Sequence, residues 1–486
     1  MGNCQNSELR ESIVSTDEFS DMDHHRKSCF KKSFQRIIII GGGIAGIACA
    51  SVLARNGIQN FRVLEYSNRI GGRLQSFQLT PEISVNLGAN WIMGERNPLL
   101  KILEESKNSD TLLDPEYFSQ ERNVIVLDDD YKNITEKMEI YHKQFLNDWH
   151  EMSEYFGKTG ELISIEDFMK RTESSPDKIP KDIYEALHYI DGYSQICANE
   201  PSNCSIGDAD EKQMEDRFGE TPIVTTSNTS ACVDELAKSV GRENIIFNCD
   251  VFHVSKHDGD NKFNLSLRNS ERSVEQMSCD YLVSAVPISQ YQSKRLMIDF
   301  MTPEKDELFS ALSLVHFVNC FVLVEKDQEH LLPDKNDFFY LPNNEENLFR
   351  SIEIDAMILR LHGRKALAFR TTAEKAVKFN SLSREEIERN IEKTIKRVFE
   401  FDATIENFSN PTWAAQENFQ GCYTNVANCP GRTFDEFYSL LNKPLADNFY
   451  MIGEAFDGSN AGYAHGAYLT GVNSAENILK LLKEKQ

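Results

Sequence analysis

Basic residues are in short supply. The chain has 52 lysines and arginines against 76 aspartates and glutamates, for a formal charge of −24. A surface of that sign repels phosphate backbones and excludes nucleic acid as a partner. Its pull on cationic solutes is weak at physiological salt, and solubility accounts for most of its effect. Cysteine patterning is also lacking. The 11 cysteines are scattered, and no CxxC pair or Cys/His cluster has zinc spacing, so no metal is expected. Scattered thiols in odd number fit a reducing compartment, and a cytoplasmic location is the expectation. The first 35 residues are polar and charged, unlike a secretory leader. No internal repeat or long linker is visible.

Long apolar runs are rare as well. One stands out, IIIIGGGIAGIACASVLA from Ile37, and its clustered glycines argue against a membrane helix. The N-terminus reads MGNCQNS, where Gly2 suits myristoylation and Cys4 a second acyl chain. The usual motif has Ser or Thr at the sixth position, which here is Asn6. A basic cluster follows (Arg26, Lys27, Lys31, Lys32, Arg36). Membrane association is expected only if this N-terminus is lipidated; the other reading is a disordered tail.

What is present begins at the same apolar run. Ile37–Ile40 reads as a strand buried on both faces. Gly41, Gly43 and Gly46 then form GxGxxG, a helix runs to about Asn56, and a second strand, FRVLEY, ends in Glu65. This order is the dinucleotide-binding fingerprint in its proper setting. Gly41 permits a tight turn, Gly43 a close approach of backbone to pyrophosphate, and Gly46 close packing of helix on strand. Glu65 is placed to accept from ribose hydroxyls. RIGGR follows at 69–73 and NLGANW at 86–91, with Arg73 as a cation near the pyrophosphate.

E-x(5)-GGR followed by LGANW resembles the flavin-containing amine oxidase family, and its polyamine oxidases in particular. The likeness extends from about residue 36 to 482. It is weakest over 111–221, and no tower insertion or extra helical domain of the histone demethylases is visible. The resemblance implies FAD, held by Gly41, Gly43, Gly46, Glu65, Arg73, Gly88, Ala89, Asn90, Trp91, Val251, Trp413, Cys422 and Glu454. Val251 matches a valine at the adenine end and Glu454 the acid that contacts the ribityl chain. Tyr423 and Tyr463 match two aromatic residues that face each other across the amine. Lys305 matches a lysine that holds a water against the flavin. GCYT around Cys422 is the form of the monoamine oxidases, whose cysteine is bonded to the flavin, so covalent and non-covalent FAD both stay open. Met93 stands where many polyamine oxidases have an acid or histidine, with Glu95 nearby but out of register. Asn228 and Thr229 replace a customary glycine pair.

The implied fold is α/β, with a Rossmann-like FAD-binding domain (36–110, 222–300 and 410–486) interleaved with an α+β substrate domain (111–221 and 301–409) after an extension over 1–35. Residues 381–401 predict an amphipathic helix with Ile387, Ile391, Ile395 and Val398 on one face, capped by Ser383 and Glu386. The implied activity is FAD-dependent oxidation of a small-molecule amine, a polyamine or a related amine, to an imine or aldehyde, with O2 reduced to hydrogen peroxide. The alternatives are an L-amino acid oxidase, a desaturase-type flavoenzyme, or a non-catalytic FAD-binding scaffold.

Overall fold

The computed structural model describes residues 35–94, 96–106, 123–190, 201–209, 223–225, 228–257, 259–333 and 337–484. Gly2, Cys4 and Glu95 lie outside the described residues, as do the side chain of Met93 and four of the five residues of the basic cluster, Arg36 being described.

Ile37–Ile40 is the central strand of a five-stranded parallel sheet. The order across it is Phe449–Met451, Tyr281–Ser284, Ile37–Ile40, Phe61–Leu64, Ile245–Ile246. Four isoleucines in a row are what such a position needs, because side chains alternate between two covered faces. Ile37 and Ile39 pack among the helices on one side. Ile38 and Ile40 enter the core on the other, and none is more than 4% exposed. Each such burial contributes about 1.5–3 kcal/mol.

The helix Ile44–Arg55 crosses from the first strand to the second and ends at Asn56, with Gly57 beyond at φ +81°. The helices Ala231–Val240 and Ala464–Glu484 pack against it. A Cβ on Gly471 would lie 2.2 Å from the carbonyl oxygen of Ala45. The last helix therefore meets the first at a spacing only glycine allows.

A six-stranded sheet stands opposite, ordered Ile405–Phe408, Phe317–Val324, Ala366–Thr372, Ser351–Ile354, Asp337–Tyr340, Asn123–Val126. It is antiparallel except for its last pair. Val318, Cys320 and Val322 turn one face towards the helix Arg384–Phe399. That helix has the expected capping box, Ser383 N donating to Glu386 Oε2 at 2.8 Å, and Ile387, Ile391 and Ile395 are fully buried. Phe317, Asn319 and Phe321 turn the other face towards a cavity. A smaller four-stranded sheet includes Asp250–Lys256, the strand that carries Val251. No helix among the described residues is long and apolar enough to cross a membrane.

Candidate active site

The cavity has a volume of about 630 Å³ and lies between the carboxyl ends of the parallel strands and the inner face of the six-stranded sheet. Ligands of open α/β sheets bind outside those strand ends. Of the residues expected to hold FAD or to act on the amine, all but Gly46 and Lys305 line it.

At one end the glycine turn behaves as the fingerprint requires. Gly41 adopts φ +103°, and a Cβ there would meet the Ala285 carbonyl oxygen at 2.7 Å. Gly46 packs against the turn itself, its absent Cβ falling 2.0 Å from the Gly41 oxygen. Gly43 differs: among the described residues, none beyond its chain neighbours comes within 4 Å of the position its Cβ would take. It is the N-cap of the helix, supplies no side-chain cap, and is followed by no acid in the first turn. The positive end of the helix is thus left open to an anion. Glu65 follows the second strand. Its carboxylate accepts from Gly42 N at 2.6 Å and from Ser67 N at 2.8 Å, so it is fixed beside the turn.

The middle of the cavity is held by one ion pair. Arg73 Nη1 donates to Glu454 Oε1 at 2.9 Å and to the Cys422 carbonyl at 2.8 Å. Glu454 also accepts from Thr424 Oγ1 at 3.0 Å and Gly462 N at 3.1 Å. Trp413 donates its indole N–H to the Leu87 carbonyl at 2.8 Å and closes over Gly88. A Cβ on Gly88 would lie 1.7 Å from the Arg73 oxygen. Thr229 N donates to Asn86 Oδ1 at 3.0 Å, so the loop that lacks a glycine pair is tied to the NLGANW segment by a side chain instead.

Cys422, Tyr423 and Tyr463 form the wall beyond. The Cys422 thiol donates to the Phe317 carbonyl at 3.0 Å, and burial pushes its pKa up to about 11. The Tyr463 ring stacks on His465, with centroids 5.2 Å apart and planes at 24°. That imidazole is positioned by Asn97 and Asn460, each at 3.1 Å. The Tyr423 ring lies against Gly462, whose Cβ would approach it to 3.0 Å.

Lys305 requires a correction. It lies inside the helix Pro303–Ser310, away from the cavity, and its Nζ donates to the carbonyls of Leu440, Leu441 and Lys443 at 2.7–2.9 Å. All three ammonium protons cap the end of the helix Phe434–Leu441, where free carbonyls favour a cation. Burial pulls its pKa down to about 8. The expected lysine and its water therefore have no counterpart at Lys305. Among the described residues that line the cavity, the cations are Arg73 and Arg370.

Arg370, Glu353, Asn319 and Asp355 also line the cavity and were not anticipated. The signal was present: an arginine in the apolar strand ALAFRTT and an asparagine in FVNCFVLV.

A parallel sheet with a glycine turn and an open helix end beneath a deep cavity is the arrangement of a dinucleotide-binding protein. The chain belongs to the flavin containing amine oxidoreductase family, whose sequence model matches residues 44–479. It is similar to polyamine oxidase 1 of Zea mays, with 22% identity over 93% of this chain and 91% of that protein. It is also similar to polyamine oxidase 3 of Oryza sativa subsp. japonica, with 26% identity over 92% and 90%. A lysine-specific histone demethylase 1B homolog of Caenorhabditis elegans shares 23% identity over 92% of this chain but only 56% of its own length. Membership implies a flavin, and the residues fit one: the space a Cβ at Gly43 would fill is open, and the helix end above it is uncapped.

Two substitutions separate cradle from scaffold. Gly43→Ala should leave unfolding stability within about 0.5 kcal/mol, because the added methyl has no described neighbour within 4 Å beyond the adjoining residues, while most of the bound flavin absorbance is lost. Stable protein that keeps its full flavin content would refute the role of Gly43. Lys305→Met should cost about 2–4 kcal/mol by denaturant unfolding, through buried carbonyls left without a donor, with no shift in the flavin spectrum. A shifted spectrum at unchanged stability would return Lys305 to the active site.

Proposed function

We propose that the chain is an FAD-dependent oxidase of a small amine, with O2 as acceptor and hydrogen peroxide as product. The observation that carries this reading is the meeting of Tyr423 and Tyr463 with the glycine turn in one cavity. We further take the two large sheets as the cores of two interleaved domains with the active site between them.

Bound FAD would supply the redox chemistry, a two-electron oxidation of the amine at its α-carbon with O2 as final acceptor. Gly43 and the helix end would hold its pyrophosphate, Glu65 the ribose and Val251 the adenine end. The protein's own part is placement. Tyr423 and Tyr463 confine the amine, and Tyr463 is fixed by the anchored His465. Phe317 and Trp91 line the same space and help exclude water. No lysine or histidine lines the cavity among the described residues, and the carboxylates Glu65, Asp250, Glu353, Asp355 and Glu454 already accept hydrogen bonds, so the amine is expected to enter already unprotonated.

Arg370 favours a second reading, an L-amino acid oxidase, because it is a cation that could receive a carboxylate. Glu353 already pairs with it, which places amine oxidation first.

Peroxide release should be measured from purified yellow protein with spermine, spermidine, their acetylated forms, monoamines and L-amino acids. Turnover of an amine class is expected, rising from neutral to alkaline pH as the free base is populated. A flat profile, or activity confined to amino acids, would displace the amine reading. Cys422 is the candidate attachment point for the flavin. Its raised pKa and its bond to Phe317 oppose thiolate attack, so acid precipitation should release the yellow colour; a yellow pellet would establish the thioether.

A further inference from the structure

One face of the six-stranded sheet forms the cavity floor, and it is polar where it should be dry. Asn319 and Arg370 are directly paired across adjacent antiparallel strands. Glu353 stands on the next strand and accepts from Arg370 Nη2. The three side chains are buried, at 3%, 6% and 6% exposure. Trp91 covers the guanidinium, with its ring centroid 5.6 Å away.

Among the described residues, Asn319 Oδ1 has no hydrogen-bond partner, and neither has Arg370 Nε. A buried amide without a partner is costly, and its persistence calls for a ligand or a strain that function requires. An amide can turn to present either its oxygen or its NH2 group. The charges around it exclude the extremes. A second ammonium on the substrate would face the Arg370 cation. A carboxylate would face Glu353, and Asp355 further along the wall. The carboxylates are themselves engaged, Glu353 with Arg370 and Asp355 as the cap that accepts from Ile358 N at 2.8 Å.

We infer that Asn319, set beside the Arg370–Glu353 pair, determines substrate specificity by reading an uncharged hydrogen-bonding group on the amine, a hydroxyl or a carboxamide, rather than a second ammonium. The inference rests on the amine-oxidase reading above. It separates this chain from an enzyme built for an unmodified polyamine, whose far end carries a charge.

The test uses the flavin-loaded protein and five amines of one chain length: an ω-amino alcohol, an ω-amino carboxamide, an α,ω-diamine, an ω-amino acid and the plain alkylamine. Binding is read from the perturbation of the flavin spectrum and turnover from peroxide. The alcohol or the carboxamide should bind at least tenfold more tightly than the diamine and the alkylamine, and which of the two does so identifies the group. Asn319→Leu should bring the ratio between that ligand and the alkylamine close to one. It should also raise the unfolding midpoint, because an unpartnered buried amide is replaced by an apolar group of similar size. Tightest binding by the diamine or the amino acid would overturn the inference while leaving amine oxidation standing. So would a preference that survives Asn319→Leu. If none of the five perturbs the flavin or is oxidised, the amine reading falls, and this inference with it.

Discussion

The contact between Arg73 and Glu454 joins parts of the chain that sequence sets far apart. One partner follows the second strand; the other follows the strand that closes the parallel sheet. Through the Cys422 carbonyl, Thr424 and Gly462 the pair fixes the segments carrying both tyrosines. A buried carboxylate that loses its cation is strongly unfavourable, so the pair ties cavity shape to correct closure of the whole sheet. The Trp413–Leu87 bond and the close approach at Gly88 add a second brace nearby.

Two kinds of surface meet in the cavity. The nucleotide end is made of backbone, and its chemistry is that of free N–H groups and one anchored acid. The far end is made of side chains, aromatic on the wall and polar on the floor. The first can serve any dinucleotide. The second carries an asparagine–arginine–glutamate row and, among the described residues, no lysine.

The glycine turn was legible because its demands are local. Each of Gly41, Gly43 and Gly46 answers to atoms within one strand, one turn and one helix, apart from the Ala285 carbonyl beside Gly41. The helix Arg384–Phe399 was legible for the same reason: its period and its cap lie within one segment. Lys305 was misread because motif order does not say which way a helix faces. Its partners lie at 440–443, far along the chain, and only packing brings them together. Asn319 and Arg370 escaped notice because strand pairing is what makes them neighbours. Each is a lone polar residue in an apolar strand, and that oddity is a usable sign only once the strand's two faces are known.

The position of the last helix and last strand has a consequence for biogenesis. The strand Ile37–Ile40 is the centre of a sheet whose outer member, Phe449–Met451, is translated long after it. The Gly471–Ala45 contact that seals the helix layer comes later still. On the ribosome the glycine turn therefore emerges long before the wall that carries Tyr423 and Tyr463. Until then the strand Tyr281–Ser284, which flanks the first strand, has an unsatisfied outer edge, so the nascent chain has a long interval in which a holding chaperone would be useful.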